Sequence, residues 1–593
     1  MTGKFSDKKR LVPFSVEFWA VGTIAIGILL RIINLGSREF WYDEVLSLLL
    51  SSGQKIAYQT PKDLPLKLAD YTPLLNLPPM SGVGDSVKNL ANLLRGLAGG
   101  EPHPPLFYLS QHFWLYLFGN SEAAMRSLGV ILSIGAIACA YGLGKILLGH
   151  RGGLLLAALF AINPFYLFHS LNLRMYGPLV LWVTLSGLSL LQVMRFDAKK
   201  RGQDSAPPLT KGGPGGVPRS LGEPPLTKGG PGGVKRSLIW TVLLIGSVTG
   251  GCMTFYLFAY WMITLGVVVL VFDRRHWWQH GLRLVTGVLI TVPWGLWGTR
   301  QQLRNADFGR FNAPPGFAAS MLQHLQDVAS TLGIHLLIGD WVTSLPKNMA
   351  AIAGFVVIGL LIAGTIYVWK KGDDAASLES VNYNRRLLIV GFLFGMFPLL
   401  LALLVDTIGG KFTLGFGWGR SMICSLPGSL LFIAILIERS PGRWRQSLAG
   451  IVLLLYLGIS VGDVTLRSRG MFHQISEMIA AEPNSPTLIA MNSRAWGHVM
   501  RLAYYIPPTM PVILLAQNAP DLAPALENAL QNNPDKYNRI LWLESGNPVW
   551  SKQTTDEEKQ AMEKVLKSQF KLQDTLTVSG TMNIDEFTVR LYQ

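Results

Sequence analysis

The sequence predicts a mainly α, polytopic membrane helix bundle followed by a small C-terminal α/β domain. Of the 593 residues, 49% are apolar and only 15% are charged, and the mean hydropathy is +0.32. A water-soluble fold could not bury this much apolar surface, whereas a lipid bilayer accommodates it. The apolar residues are concentrated in eleven runs, each close to the roughly 20 residues that cross a bilayer. We therefore expect about eleven membrane spans.

Polar or turn-forming segments separate the apolar runs. In chain order the runs cover residues 16–35, 124–148, 152–169, 176–194, 238–254, 256–272, 283–298, 348–370, 386–408, 421–438 and 446–464. The first run follows a basic start and lacks a small-residue cleavage site, so we expect it to remain as an anchor.

Basic residues gather in the loops that share one side if the eleven spans alternate. The clusters are Lys8–Arg10, Lys145 with Arg151, Arg195 with residues 199–201, Arg274 with Arg275, Lys370 with Lys371, and Arg439 with Arg443 and Arg445. The positive-inside rule places that side in the cytoplasm. We therefore expect a plasma (inner) membrane protein with a cytoplasmic N-terminus, residues 1–15, and a transmembrane module, residues 16–465. An extracytoplasmic α/β domain, residues 470–593, follows.

The same distribution of charge excludes a nucleic-acid partner. The formal net charge is +16, but the basic residues lie between apolar runs and form no continuous basic surface. Cys139, Cys252 and Cys424 lie in separate apolar stretches without CxxC spacing, so no disulfide or zinc site is expected.

Three segments stand out between the spans. Residues 36–123 and 299–347 form long outer loops, and long ordered loops often carry function. Within the first loop, residues 103–119 begin with a proline pair and are short for a span, which predicts a juxtamembrane helix. Residues 196–237 contain two copies of PPLTKGGPGGV, a composition that predicts a disordered cytoplasmic insert. A docking segment for a partner is the alternative.

The C-terminal segment alternates between short apolar strands and amphipathic helices. Residues 487–491, 511–516 and 539–543 read as buried strands, and residues 496–505, 521–531 and 555–568 as helices. No glycine-rich phosphate loop or nucleophile motif accompanies them.

The first outer loop opens with two adjacent carboxylates, Asp43 and Glu44, flanked by Trp41 and Tyr42. Charges beside a membrane interface are costly unless they are solvated or paired, which indicates a functional role. The alternative is that both are solvated charges at a helix N-terminus, where the dipole favours them.

Other polar residues lie at the outer ends of the predicted helices. Arg174 and Arg420, with Lys411, could together bind a phosphate, because the guanidinium fork suits bidentate contact. Snorkelling to lipid headgroups is the alternative for each arginine. Glu101 and His103, and Tyr176 near Arg174, are candidates for contacting a substrate or a divalent metal; otherwise His103 is a surface residue positioned by two prolines.

Four motifs in order resemble the GT-C membrane glycosyltransferases. They are RIINLGSREFWYDE from residue 31, HPPLFY from 103, NSEAAMRSL from 120, and the Asn163–Pro164 and Arg174–Tyr176 segments. The resemblance covers roughly residues 16–440. It points to the branch that contains bacterial protein O-mannosyltransferase-like enzymes and the lipid A aminoarabinose transferase. Two positions depart from the family pattern: Asn172 stands where relatives often carry Glu, and Pro102 occupies the place of a second acidic residue.

The resemblance implies an inverting glycosyltransferase of the cell envelope that uses a polyprenyl-phosphate-linked sugar presented at the outer leaflet. It implies that Asp43 is the catalytic acidic residue and Glu44 its neighbour, and we predict both as catalytic residues. Asp43 would act as general base, while Arg174, Arg420 and Lys411 stabilise the departing phosphate. The acceptor, a lipid, a glycan or a protein, stays open, and no cofactor is implied beyond the metal hypothesis for Glu101 and His103.

Two other classes of function compete with this one. A transporter or flippase for a lipid-linked sugar also needs many spans and a cationic pocket, but transporters tend to show internal repeats and broken helices at the bilayer midplane. A non-catalytic binder of lipid-linked sugars is the third reading, and it would bind a donor without consuming it.

Overall fold

The structure, a computed structural model, describes residues 16–62, 64–79, 81–200, 231–306, 309–314, 316–346, 348–373, 378–467, 470–532, 536–549, 551–580 and 584–593. The predicted cytoplasmic N-terminus and residues 201–230 of the predicted insert lie outside the described residues. The flanks of that insert, residues 196–200 and 231–237, are helical, so the neighbouring helices extend further than expected.

Helices dominate the described chain. The N-terminal part contains α1 (Val16–Ile33), α2 (Tyr42–Ser51), α3 (Val83–Ala98), α4 (Leu106–Phe118), α5 (Glu122–Ile162), α6 (Pro164–Ser170), α7 (Tyr176–Lys200), α8 (Pro231–Cys252) and α9 (Phe258–Phe272). The next part contains α10 (Trp277–Leu289), α11 (Val292–Trp294), α12 (Arg300–Asn305), α13 (Phe317–Gly333), α14 (Met349–Asp373), α15 (Leu378–Gly395), α16 (Phe397–Gly409), α17 (Leu426–Arg439) and α18 (Gly442–Leu466). The C-terminal part contains α19 (Met471–Ala480), α20 (Trp496–Tyr505), α21 (Ala519–Asn532) and α22 (Asp556–Lys567).

Helical structure occupies most of each of the eleven predicted apolar runs, and the predicted mainly α fold class is confirmed. Within the described residues, six helices are long and apolar enough to cross a membrane: α1, α5, α7, α14, α17 with its preceding turn, and α18. Helices α15 and α16 form a further apolar pair bent by 45°, and α8 and α9 are shorter apolar helices. The chain is therefore a multi-pass membrane protein.

Helix α5 is two antiparallel arms joined by a kink. Its 41 residues would extend about 60 Å if straight, twice the hydrocarbon thickness of a bilayer. The backbone leaves helical geometry at Gly149, where φ is 81°. A Cβ at Gly144 would lie 2.9 Å from the carbonyl oxygen of Gly152, so the absence of side chains lets the arms pack closely. The predicted run 124–148 corresponds to the first arm, and the run 152–169 corresponds to the second arm together with most of α6.

A six-stranded sheet forms the core of the C-terminal region. The strands are β1 (Leu66–Lys67), β2 (Thr487–Met491), β3 (Val512–Ala516), β4 (Arg539–Ser545), β5 (Leu572–Ser579) and β6 (Glu586–Tyr592), in the order β1-β3-β2-β4-β6-β5. Strands β3, β2 and β4 are parallel and the others antiparallel. Apolar side chains cover both faces of β2 and β4, as expected for central parallel strands. The predicted small α/β domain is confirmed, and β1, β5 and β6 are additions to it.

The segment between α1 and α5 supplies an edge strand of this sheet. Leu66 pairs with Leu514 and Lys67 with Ile513, in antiparallel register. Residues this close must lie on the same side of a bilayer, so the chain crosses it an even number of times between β1 and β3. Ten crossings, as in the eleven-span prediction, satisfy this condition, and an additional crossing by α4 alone would violate it.

The C-terminal region packs directly on α2. A Cβ at Gly497 would lie 2.5 Å from the Tyr42 ring, so only glycine allows α20 to approach this closely. His498 meets the Tyr42 ring edge to face at 5.4 Å. The Tyr505 hydroxyl accepts the Phe40 amide at 2.6 Å and donates to Glu122 at 2.8 Å. These contacts hold the start of α2 between the bundle and the C-terminal domain.

Candidate functional site

Asp43 lies in the first turn of α2, and its carboxylate is partly open. The side chain is 19% exposed. Its Oδ2 accepts a hydrogen bond from Arg420 Nη1 at 3.0 Å and lies 3.9 Å from Arg174 Nε. A helix N-terminus favours a negative charge at this position. The structure thus brings together three residues that the sequence places far apart.

Arg174 reaches the site from the loop between α6 and α7. Its Nη1 donates to Ser47 Oγ at 3.1 Å and lies 3.5 Å from the Tyr108 hydroxyl. Burial alone would lower the pKa of Arg174, but the hydroxyl of Tyr108 and the carboxylate of Asp43 outweigh it and raise the pKa well above its ordinary value. Arg174 is therefore a fixed positive charge beside Asp43.

Arg420 lies in the connection between α16 and α17, and its guanidinium group lies among aromatic rings. Its guanidinium carbon lies 5.4 Å from the centre of the Trp41 ring, 5.7 Å from that of Tyr176 and 5.9 Å from that of Trp418. Tyr176, predicted as a candidate for contacting a substrate or a metal, thus contacts Arg420. Its ring centre also lies 5.9 Å from the guanidinium carbon of Arg174. Aromatic faces stabilise a guanidinium and leave its edges free for an anion.

The structure does not favour the predicted catalytic role of Glu44 beside Asp43. Its side chain and that of Arg126 are fully buried. Arg126 Nε and Nη2 donate to the two carboxylate oxygens at 2.8 and 2.7 Å. Burial alone would raise the pKa of Glu44, but Arg126 outweighs it and lowers the pKa. A substrate could not reach this carboxylate without breaking the pair, so Glu44 has a positioning role.

The pair organises the backbone on both sides of Asp43. Arg126 donates its remaining N–H groups to the carbonyl oxygens of Leu35, Arg38 and Glu39, at 2.7 to 3.1 Å. Glu44 Oε2 accepts the Trp41 amide at 3.1 Å, and Oε1 accepts the Leu173 amide at 2.7 Å. The pair therefore fixes the entry to α2 and the loop that carries Arg174.

Glu101 and His103 form a second buried network behind Arg174. The His103 Nδ1 hydrogen-bonds to Glu101 Oε1, which also accepts the Tyr108 hydroxyl at 2.9 Å. Burial alone would raise the pKa of Glu101, but His103 and Arg174 outweigh it and lower the pKa to about 2. Burial outweighs the attraction of Glu101 and lowers the pKa of His103. Since an ionised carboxylate can only accept, His103 donates this bond through Nδ1. Tyr108 links this network to Arg174.

The arrangement does not favour the metal hypothesis for Glu101 and His103. The two side chains satisfy each other, and the His103 ring stacks on Phe255 with centroids 5.6 Å apart. Over the part of the chain that the structure describes, no three His, Cys, Asp or Glu side chains converge to hold a metal ion. One carboxylate and one imidazole are too few for a structural metal site built from protein ligands alone.

Lys411 takes part in a different contact from the one predicted. Its Nζ donates to Asn312 Oδ1 at 2.7 Å, and the two residues also form an isolated β-bridge. The lysine thus joins the loop after α12 to the loop after α16, and it does not pair with Asp43 as Arg420 does. We leave it out of the candidate phosphate site.

Four buried donors on Asp43's arginine partners and on nearby residues in sequence lack a hydrogen-bond partner among the described residues. They are Trp41 Nε1, Asn172 Nδ2, Arg174 Nε and Arg420 Nε. These atoms are buried, so the charge of the two guanidinium groups, and not these N–H groups, is what the site offers to an anion. A phosphate, an anion with several acceptor oxygens, suits two guanidinium groups beside one another.

Sequence reasoning missed Arg126, Tyr108, Trp41 and Trp418 as parts of this site. Arg126 and Tyr108 lie inside motifs that carry the family resemblance, and Trp41 is adjacent to the predicted residues. Their roles depend on contacts between distant segments, which no local pattern reveals. Trp418 lies two residues before Arg420 in a glycine-rich loop. Its closeness in sequence to a predicted site residue was the signal that could have identified it.

Comparison with known proteins gives one family match and several structural likenesses. Residues 102–203, which include Tyr108, Arg126 and Arg174, match the family of dolichyl-phosphate-mannose-protein mannosyltransferases. No curated protein matches the chain. The resemblance predicted from the motifs is confirmed for this segment.

Among solved structures, ArnT from Cupriavidus metallidurans bound to undecaprenyl phosphate is similar at 11% identity and a TM-score of 0.40, over 97% of this chain and 98% of that one. The Archaeoglobus fulgidus oligosaccharyltransferase in complex with zinc and sulfate is similar at 12% identity and a TM-score of 0.43, over 96% and 73%. The oligosaccharyltransferase AglB from the same organism, with an inhibitory peptide and a dolichol-phosphate, is similar at 11% identity and a TM-score of 0.41, over 89% and 69%.

Proposed function

We propose that the protein is a membrane glycosyltransferase that moves a sugar from a polyprenyl-phosphate-linked donor to an acceptor, with Asp43 as general base. The family match over residues 102–203 supports the class of reaction. The observation that carries the proposal is the partly open Asp43 carboxylate held between Arg420 and Arg174. A base and two cations at one point are what transfer from a phosphate leaving group requires.

The residues can divide the reaction between them. The acceptor hydroxyl oxygen forms a bond to the anomeric carbon while the bond from that carbon to the phosphate oxygen breaks. Asp43 takes the hydroxyl proton, and the polyprenyl phosphate leaves with the electron pair of the broken bond. Arg174 and Arg420 stabilise its charge through their positive guanidinium groups. A single displacement of this kind inverts the anomeric configuration.

The proposed location is the outer face of the plasma membrane. The positive-inside rule supports it, because Asp43, Arg174 and Arg420 belong to loops without the predicted cytoplasmic basic clusters. The donor phosphate would lie at the headgroup level and its prenyl chain between the helices. The acceptor is a lipid, glycan or protein hydroxyl, or another nucleophile, on that side.

The test is release of polyprenyl phosphate from a panel of lipid-linked sugars by the purified protein in lipid. We expect Asp43→Asn to keep donor binding and to lower turnover by about 10²- to 10⁴-fold, the usual contribution of a general base. The matched control is Asp85→Asn, the same substitution at an exposed carboxylate near the start of α3 in the same outer loop. This control should turn over donor at the native rate.

Three results distinguish the alternatives. Equal turnover by native protein and Asp43→Asn would show that Asp43 is not the base. Donor that is bound but never consumed, with every acceptor class supplied, would favour the non-catalytic binder. Movement of intact donor between leaflets without release of polyprenyl phosphate would favour a flippase.

A further inference from the structure

The loop before Arg420 has three consecutive residues with a left-handed backbone. The φ angles are 72° at Gly417, 51° at Trp418 and 78° at Gly419. Glycine adopts such angles freely, whereas a residue with a Cβ does so at a cost in free energy. Among the described residues, Trp418 is the one non-glycine residue with positive φ. Strain of this kind at a candidate site points to a function for the strained residue.

The shape of this loop and the position of Arg420 depend on each other. A Cβ at Gly417 would lie 2.5 Å from Arg420 Nε, so a side chain there would displace the guanidinium. His335 Nε2 donates to the Gly419 carbonyl at 2.8 Å, and the His335 carbonyl accepts Asn163 Nδ2 at 2.9 Å. The loop is therefore anchored to the start of α6, and Trp418 has a defined place beside Arg420.

The three rings around Arg420 differ in exposure. Trp41 and Tyr176 are 5% and 4% exposed, so both are packed into the protein. Trp418 is 38% exposed, although its ring centre is 5.9 Å from the Arg420 guanidinium carbon. Of these three rings, Trp418 is the one with room for a ligand. It therefore offers an apolar surface next to the proposed phosphate site.

We propose that Trp418 is a donor-binding residue on which the sugar ring of the lipid-linked donor lies, while Arg420 binds the adjoining phosphate. This inference rests on the proposed function. The C–H face of a pyranose or furanose ring is apolar, and an indole ring covers such a face well. Sugar and phosphate are joined through one oxygen atom, which matches the neighbouring positions of Trp418 and Arg420. A ring held there would be close to Asp43, which contacts Arg420.

The test compares two ligands, a sugar-bearing donor and the same polyprenyl phosphate without sugar. We expect Trp418→Leu and Trp418→Gly to weaken donor binding about tenfold, as for loss of an aromatic contact, and Trp418→Phe to weaken it less. Binding of sugar-free polyprenyl phosphate should stay at the native level in all three variants. The matched control is Trp444→Leu, at another exposed tryptophan, in α18, which should change neither affinity.

Thermal unfolding separates a binding role from a structural one. Because glycine relieves the strain at this φ, Trp418→Gly should keep or raise the unfolding midpoint while it weakens donor binding. An equal loss of affinity for both ligands, or a midpoint lowered in Trp418→Gly, would overturn the proposal and make Trp418 a support for Arg420. Failure of the native protein to release polyprenyl phosphate would count against the proposed transfer reaction alone, since the two binding constants still decide the role of Trp418.

Discussion

Asp43 and Glu44 are neighbours in the first turn of α2, and each carboxylate is paired with arginine. The Glu44 carboxylate is fully buried, and Arg126 meets both of its oxygens. The Asp43 carboxylate is 19% exposed, and Arg420 meets one of its oxygens. Successive helix residues point about 100° apart, so one side chain enters the protein and the other faces the loops. The contrast shows that accessibility and unfilled hydrogen-bonding capacity separate a candidate catalytic carboxylate from a structural one.

The largest expected effect comes from breaking the buried pair. In Arg126→Met, Glu44 keeps its charge without a partner, and we expect the free energy of unfolding to fall by about 3–5 kcal/mol. Thermal or denaturant unfolding of the protein in lipid measures this change. The control is Arg151→Met, because Arg151 is 35% exposed and Arg445 also lies 3.8 Å from its partner Glu438. A loss no larger than that of the control would mean that the buried pair is not what fixes α2.

The second-largest expected effect is a loss of turnover when the partly exposed pair of Asp43 and Arg420 is changed. Arg420→Gln removes a cation from the proposed leaving group, and we expect turnover to fall by about 10²- to 10³-fold with little change in stability. Arg420→Lys keeps the positive charge but loses the bidentate geometry of the guanidinium. Its turnover should therefore lie between those of the native protein and Arg420→Gln. Release of polyprenyl phosphate measures both. Native turnover in Arg420→Gln would remove this arginine from the proposed mechanism.

A smaller effect should follow from a change in the C-terminal domain. The added Cβ in Gly497→Ala would overlap the Tyr42 ring, and we expect a cost of about 1–3 kcal/mol together with lower turnover. The matched control is Gly470→Ala, where a Cβ meets nothing within 4 Å. If unfolding and turnover both stay native in Gly497→Ala, α20 does not position the start of α2.

The smallest expected effect concerns Glu101, a third buried carboxylate. Its pKa falls from 4.5 to about 2 in the folded protein, so its stabilising contribution is complete above pH 4.5 and is lost as the pH drops towards 2. Glu101→Gln should therefore lower stability by the same amount at every pH from 6 to 8, so the expected change across this range is close to zero. Unfolding midpoints of the two proteins across pH measure the difference. A difference that varies between pH 6 and 8 would contradict the lowered pKa.

Sequence reasoning predicted the helices and the central strands because their signals are local. The apolar runs mark the helices, and near-continuous apolar stretches mark β2, β3 and β4. Strand β1 was missed because two residues, Leu66 and Lys67, carry no pattern, and their partners lie in a distant segment. Strand β5 was missed because most of its residues are exposed and polar, so no buried face marks it.

The candidate site was predictable in its residue types but not in its contacts. Asp43, Arg174 and Arg420 were selected from charge, position and family resemblance, and the structure brings them together. Glu44 had the same local signals as Asp43. Its burial depends on Arg126, which no pattern near Glu44 indicates. Lys411 shares a loop with Arg420, yet its partner is Asn312 in a distant segment, which no local pattern indicates.

The pairing of β1 with β3 also bears on how the protein is made. During synthesis Leu66 emerges long before Leu514, so the edge of the sheet closes only after nearly the whole bundle has been translated. Pairings between such distant segments form late, because the long intervening chain must first be ordered. Between its own synthesis and its pairing with β1, β3 presents an open strand edge, a surface that favours wrong association. The start of α2 gains its support from α20 at the same late stage, so we expect an unfinished chain to be inactive and exposed to quality control.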